Sequence, residues 1–242
     1  MMRRVLKSSF FCYLLAATLG CAKTTTDPQA ILEKAIAAHG GEANLTKRRA
    51  GRAWGADTGP GLRLTWEEVF EVPGRWVKRT EGTMNERKFR QALLFTDGTL
   101  WRSVDGGAPE EASAASSDPH GQLFGQAAML LRFRQPGVKL SPLAEVRIGG
   151  KAAVGFKADT ERPGEFYFDK ESGLLQKVVG EMTGPRSGKA TVTLLYSDYR
   201  EVDGVKLPHR LAMSINGEPM SETVVSGVEL LGKVENGVFK LP

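Results

Sequence analysis

The chain has 242 residues, 41% hydrophobic and 25% charged, with 28 Gly, 12 Pro and a formal net charge of +5. Arg3, Arg4 and Lys7 fall in an N-terminal leader; without them 30 basic residues stand against 28 acidic ones, a net of about +2. So balanced a domain carries no footprint for nucleic acid, and its many Gly and Pro favour turns and strands over long helices.

Met1–Lys7 is basic, and the apolar run of about 13 residues that follows, Ser8–Gly20, completes a secretory signal. That run is too short for a membrane span, which needs about 20 residues. Arg3-Arg4 matches a twin-arginine signal only in the pair itself; the following residues fit that export route poorly. Ala17-Thr18-Leu19-Gly20-Cys21 resembles the lipobox of bacterial lipoproteins, with Thr18 and Leu19 departing from the usual Leu and Ala or Ser. The resemblance implies cleavage before Cys21, acylation of Cys21 and, since Ala22 is no inner-membrane retention signal, residence on the periplasmic face of the outer membrane. Ordinary secretory cleavage with Cys21 incidental is the alternative. The expected organisation is a signal peptide over 1–20, a lipidated tether over 21–27 and one domain over 28–242. Cys12 and Cys21 are the only cysteines, so the mature domain has no disulfide and no cysteine metal site.

Asp27-Pro28 pairs a helix cap with a first-turn proline. Ile31, Leu32, Ala35 and Ile36 then recur at helical spacing up to a stop at Gly40-Gly41. His39 stands near the carbonyl end of that helix, where a cation is favoured. From Gly51 the period becomes two: Leu62, Leu64, Trp66, Phe70 and Val72 alternate with Arg63, Thr65, Glu67 and Glu71. Glu68 and Val69 break the alternation, which predicts a bulge or a pocket-facing acid.

Hairpins follow: across Pro73-Gly74 into Trp76–Glu81, Phe89–Phe95 across Asp97-Gly98 to Leu100–Val104, and Leu143–Ile148 across Gly149-Gly150 to Ala152–Ala158. Glu165–Phe168 turns near Ser172-Gly173 into Leu174–Glu181, Lys189–Tyr199 turns at Asp203-Gly204, and His209–Ile215 turns at Asn216-Gly217 into Ser221–Leu230. About a dozen strands joined by short turns make one meandering antiparallel sheet. An Ala/Ser-rich stretch, Glu110–Asp118, interrupts it. A second helix, signalled by Asp118-Pro119 and carrying Leu123, Phe124, Ala127, Ala128, Leu130 and Leu131, follows; it reads equally as a lid or as a core helix.

Catalytic signatures fail on inspection. Gly184–Lys189 has three residues between its glycines rather than four, Ala190 where a phosphate loop needs Ser or Thr, and no helix after it, so it reads as a hairpin turn. No Gly-x-Ser-x-Gly elbow occurs. His39, His120 and His209 show no metal-ligand spacing. No cofactor and no enzymatic activity are expected.

Glu165–Asp169, Gly173-Leu174-Leu175 and Tyr196–Pro208 together resemble the LolA/LolB-like lipoprotein-sorting superfamily, as do the opening helix ending in His39-Gly40-Gly41 and the closing Asn236–Pro242. The resemblance implies a mainly β fold: a strongly curved antiparallel sheet, an incomplete and open barrel, wrapped around one or two helices. It implies an apolar concave face sheltering a lipid or the acyl chains of a lipoprotein. An anchor at Cys21 makes the chain more like the membrane-bound acceptor than the soluble carrier. Strand parity and the second helix nominate Leu64, Trp66, Phe70, Trp76, Phe95, Leu123, Phe124, Leu131, Phe166, Phe168, Leu211, Met213 and Ile215 as the ligand wall. The alternative is a solid core in an envelope protein-interaction module. The expected partners are lipid or acylated lipoprotein and the membrane through the N-terminal anchor, with the protein a monomer.

Overall fold

A computed structural model describes residues 26–47, 50–71, 74–112, 123–160, 163–184 and 188–241; of 123–126, 128, 183 and 184 it describes the backbone alone. The leader and Cys21, Val72, Asp118-Pro119 and the interior of the Gly184–Lys189 turn lie outside the described residues.

Helix α1 (Pro28–Ala38) starts as its sequence dictates, the Asp27 carboxylate accepting from Gln29 N at 3.2 Å. Gly40, at φ 119, turns the chain, but helix does not stop at Gly41: a second helix, α2 (Gly41–Lys47), follows at once. The Asn44 side chain secures that corner, donating to the Gly40 and Gly204 carbonyls.

Among the described residues fourteen strands follow, close to the dozen or so read from turns: β1 (Ala50–Gly59), β2 (Leu62–Glu71), β3 (Arg75–Met84), β4 (Arg87–Thr96), β5 (Thr99–Val104), β6 (Glu110–Ala112), β7 (Lys139–Pro142), β8 (Val146–Ile148), β9 (Lys151–Asp159), β10 (Gly164–Asp169), β11 (Leu175–Gly184), β12 (Gly188–Val202), β13 (Val205–Ile215) and β14 (Glu218–Leu231). Helix α3 (Leu123–Arg132) stands between β6 and β7. The sheet runs β6-β5-β4-β3-β2-β1-β14-β13-β12-β11-β10-β9-β7 and does not close, with β8 paired to β9. Antiparallel pairing of β1 with β14 joins the two meanders. The hairpins at Asp97-Gly98, Asp203-Gly204 and Asn216-Gly217 have both central residues at positive φ, the geometry that matches strand twist and that Asp, Asn and Gly tolerate.

The inner face of the sheet wraps the helices. One buried cluster unites Ile31, Leu32, Ala35 and Ile36 of α1, Leu45 of α2, Ala127 and Leu130 of α3 and Phe133 with inward side chains from both meanders. Arg134, just past α3, donates to Glu33 of α1 and Glu42 of α2, tying the three helices together. The C-terminal half of α3 is thus core.

Much of the outer face is exposed, but the C-terminal tail covers one part of it. There Val234, Val238, Phe239 and Leu241 of the tail cover Ala50, Val69, Val77 and Leu94. The broken alternation at Glu68-Val69 comes from this: β2 pairs with β1 and β3 without a bulge, Val69 lies under the tail, and Glu68 is the acid buried on the inner face. Arg75 packs its guanidinium 4.3 Å from the Phe239 ring centre and donates to Asn236, while Arg79 donates to the Val238 and Lys240 carbonyls.

Candidate functional site

Side chains opposite one another in antiparallel strands share a face, so the register identifies the inner wall. From closed end to open end it reads Phe70, Glu68, Trp66, Leu64 and Leu62 on β2, and Leu207, His209, Leu211, Met213 and Ile215 on β13. Burial falls steadily along that direction. Phe70 and Leu207 are fully buried, Leu64 and Leu211 still buried, Leu62, Met213 and Ile215 half-buried. The same gradient runs from Val178 to Met182 on β11 and from Tyr196 to Val192 on β12.

The closed end is sealed by aromatic packing and by α1 and α2. Phe133 meets Phe166 at 4.8 Å and Phe156 at 5.5 Å between ring centres, and Phe156 meets Phe168 at 5.4 Å. The Tyr199 hydroxyl donates to the Leu175 carbonyl at 2.7 Å, and the His39 ring stands edge-on to Tyr199. His39 is no cation at a helix terminus: it is buried, its Nδ1 sits 2.8 Å from the Ala35 carbonyl, and loss of hydration lowers its pKa to about 4. The unfolded chain takes up that proton near pH 6.5, the folded protein only near pH 4, so stability falls as pH drops through that window. The unfolding free energy from urea titration is expected to fall by roughly 2 kcal/mol more between pH 7.5 and pH 4.5 in the native protein than in His39→Gln; parallel pH profiles would contradict it.

Glycines on β1 bring the aromatic rings down onto the sheet. A Cβ at Gly51 would lie 2.7 Å from Phe70 Cζ, and one at Gly55 would lie 2.7 Å from Trp66 Cζ2. At the open end, a Cβ at Gly180 of β11 meets nothing described within 4 Å, although Gly180 shares the inner face with Val192 and Ile215.

The residues nominated from sequence divide accordingly. Trp66, Phe70, Trp76, Phe166, Phe168 and Leu211 belong to the cluster that packs on the helices, with Phe95, Leu131 and Met213 partly buried against it. Leu64 is buried farther along β2, and Ile215 is half-buried at the open end. The side chains of Leu123 and Phe124 lie outside the described residues. Leu62, already read on the inner parity of β2, is absent from the nominated wall, and sequence reading missed Val192, Gly180 and Met182; parity along β11 and β12 was the available signal.

Two cavities stand out, and neither is lined by the nominated set as a whole. One, of 260 Å³, lies at the closed end between Ile31 and Lys34 of α1 and Phe168–Lys170. The other, of 410 Å³, includes Thr65, Glu67, Arg79, Glu81, Arg90 and Ser103. The register puts those side chains on the outer face of β2–β5; Trp66, Thr80 and Gln91, which also line the cavity, belong to the inner face. Ser103 Oγ donates to the Gly107 carbonyl at 2.8 Å and folds the loop after β5 into a wall of this groove. Among the described residues no three of His, Cys, Asp and Glu converge to hold a metal ion.

The geometry defines an open antiparallel half-barrel, plugged by helices at one end and apolar-mouthed at the other. Solved structures share it. A LolA superfamily protein from Nitrosomonas europaea superposes with a TM-score of 0.59 at 15% identity, over 89% of this chain and 98% of that one. A DUF1329 family protein from Desulfovibrio piger does so with a TM-score of 0.56 at 10% identity, over the same shares, 89% and 98%. LprF from Mycobacterium bovis, at a TM-score of 0.34 and 12% identity over 88% and 98%, is too distant to carry an argument. No family model and no curated protein matches the sequence. These likenesses show the LolA-like fold that the C-terminal motifs suggested; at such identities they speak to fold alone.

Proposed function

We propose that the protein is an envelope lipoprotein, anchored through Cys21 to the periplasmic face of the outer membrane, that holds acyl chains of a lipid or lipoprotein at the open end of its inner face. The observation that carries this reading is the burial gradient: the sheet's own helices fill the closed end, while Leu62, Val192, Met213 and Ile215 are left half-covered around the space in front of Gly180. Flexible, polarisable Met213 and Met182 suit a guest of variable shape. The tether joins at Thr26, beside the closed-end cavity, which leaves the mouth at the other end clear of the point of attachment. Several acyl chains on Cys21, each methylene contributing about 0.8 kcal/mol, hold such a protein stably in place.

Gly180→Trp is expected to fold normally, fill the mouth and lower the affinity for cis-parinaric acid, read by its fluorescence, at least tenfold. Unchanged binding would count against the acyl site. Release of Cys21→Ser from the membrane fraction tests the anchor separately.

A second reading, an envelope interaction module, draws on the outer groove. There Glu67, Glu81 and Arg90 form no ion pair among the described residues, although Glu81 and Arg90 are cross-strand neighbours. Retained fatty-acid binding in a Glu81→Ala/Arg90→Ala double variant that has lost a binding partner would favour it.

A further inference from the structure

We infer that the molecule bound at the mouth carries an anionic, acceptor-rich headgroup, received by Lys78, Thr80 and Gln91 on the inner face of β3 and β4. The inference rests on the acyl-binding reading above. Trp66, Thr80 and Gln91 stand side by side across β2, β3 and β4. Lys78, two residues along from Thr80, holds its ammonium 4.8 Å from the centre of the Trp66 ring.

Trp66 is 5% exposed and Thr80 9%. The Trp66 indole N–H nevertheless has no hydrogen-bond partner among the described residues. Lys78, Thr80 and Gln91 make no side-chain hydrogen bond or ion pair among the described residues. Native proteins leave few buried polar groups unmatched, because each such group forfeits its hydration without return. Here the Trp66 indole is such a group, and Lys78, Thr80 and Gln91 beside it present polar ends with no protein partner among the described residues, so a group from outside completes the set. An indole N–H and an ammonium only donate, and Thr and Gln can donate as well, so the complement is an acceptor; the lysine charge selects an anion.

Among the described residues no carboxylate forms an ion pair with Lys78, although buried Glu68 lies opposite it in the register; Asp57, nearer the mouth, accepts from Thr223 Oγ1 at 2.7 Å. Across the interior, toward the mouth, the inner faces of β12 and β13 are apolar at Val192, Met213 and Ile215. One wall therefore suits a hydrocarbon chain and the other its polar end. Phosphate and carboxylate share this chemistry.

The test compares three probes with one chain and different heads: dodecyl phosphate, dodecyl maltoside and dodecyltrimethylammonium, each titrated by calorimetry below its micelle concentration. Dodecyl phosphate is expected to bind about tenfold tighter than the maltoside, with the ammonium weakest. Lys78→Met, which keeps most of the apolar stem, is expected to bring the first two within twofold, and Thr80→Val to weaken only the phosphate; Lys88→Met on the outer face is expected to change nothing. Equal affinity for all three heads, unaltered by Lys78→Met, would overturn the headgroup assignment and leave acyl binding standing. If none of the three binds, the acyl-binding reading itself falls.

Discussion

Phe166→Ala is expected to destabilise the protein by about 3–5 kcal/mol, a large part of the 5–15 kcal/mol that usually separates folded from unfolded domains. Phe166 lies under 2% exposed between Phe133, at 4.8 Å, and Phe156, at 5.9 Å, where the β9–β10 wall meets the segment after α3. Truncation removes hydrophobic burial and leaves a cavity that these neighbours, held by Phe168 and Leu130, cannot fill. The aromatic contacts add to the loss beyond area alone. Phe95, stacked on Trp76 at 6.2 Å but only half-buried near the β6 edge, makes the comparison. Phe95→Ala is expected to cost less than half as much. Urea unfolding of the two variants checks the order; equal midpoints would mean that the closed end is not the centre of cohesion.

Gly55→Val is expected to cost about 3 kcal/mol or more, at the upper end for overpacking, because two obstacles meet one side chain. A Cβ there runs into the Val224 backbone carbonyl of β14 as well as the Trp66 ring. The ring can swing aside; the carbonyl belongs to the β1–β14 ladder that joins the two meanders. Adding Trp66→Ala to Gly55→Val is therefore expected to recover only part of the loss in a double-mutant cycle. Full recovery would show that the ring alone imposes glycine at this position. Trp66 also underlies Lys78, so a loosened ring is expected to reduce headgroup discrimination along with stability.

The hairpins were legible wherever the signal was local. Asp97-Gly98, Asp203-Gly204 and Asn216-Gly217 specify their turns through two adjacent residues that accept positive φ. The start of α1 was legible for the same reason, its cap and proline being neighbours. Period-two patterning located the inner faces of β2 and β13, and with them Trp66, Phe70 and Leu211. It was least informative at Glu68-Val69, where the tail, more than 160 residues later, buries the outer face as well. The short β7, with Pro142 at its end, and α2, beginning directly at a glycine, carry too few patterned residues to register.

By itself the sequence determined the class of fold, because turn chemistry and side-chain alternation act between near neighbours and so are written residue by residue. It also carried the likeness of the C-terminal motifs to the LolA-like fold. Only the tertiary structure decided that β1 pairs with β14, that Phe156 and Phe166 pack against Phe133 while Phe168 borders the small cavity beside α1, and that burial gives way toward Met213 and Ile215. Parity states which face a side chain occupies; how deeply it is covered depends on which distant helix or tail comes to rest on that face, and no short-range pattern encodes that meeting.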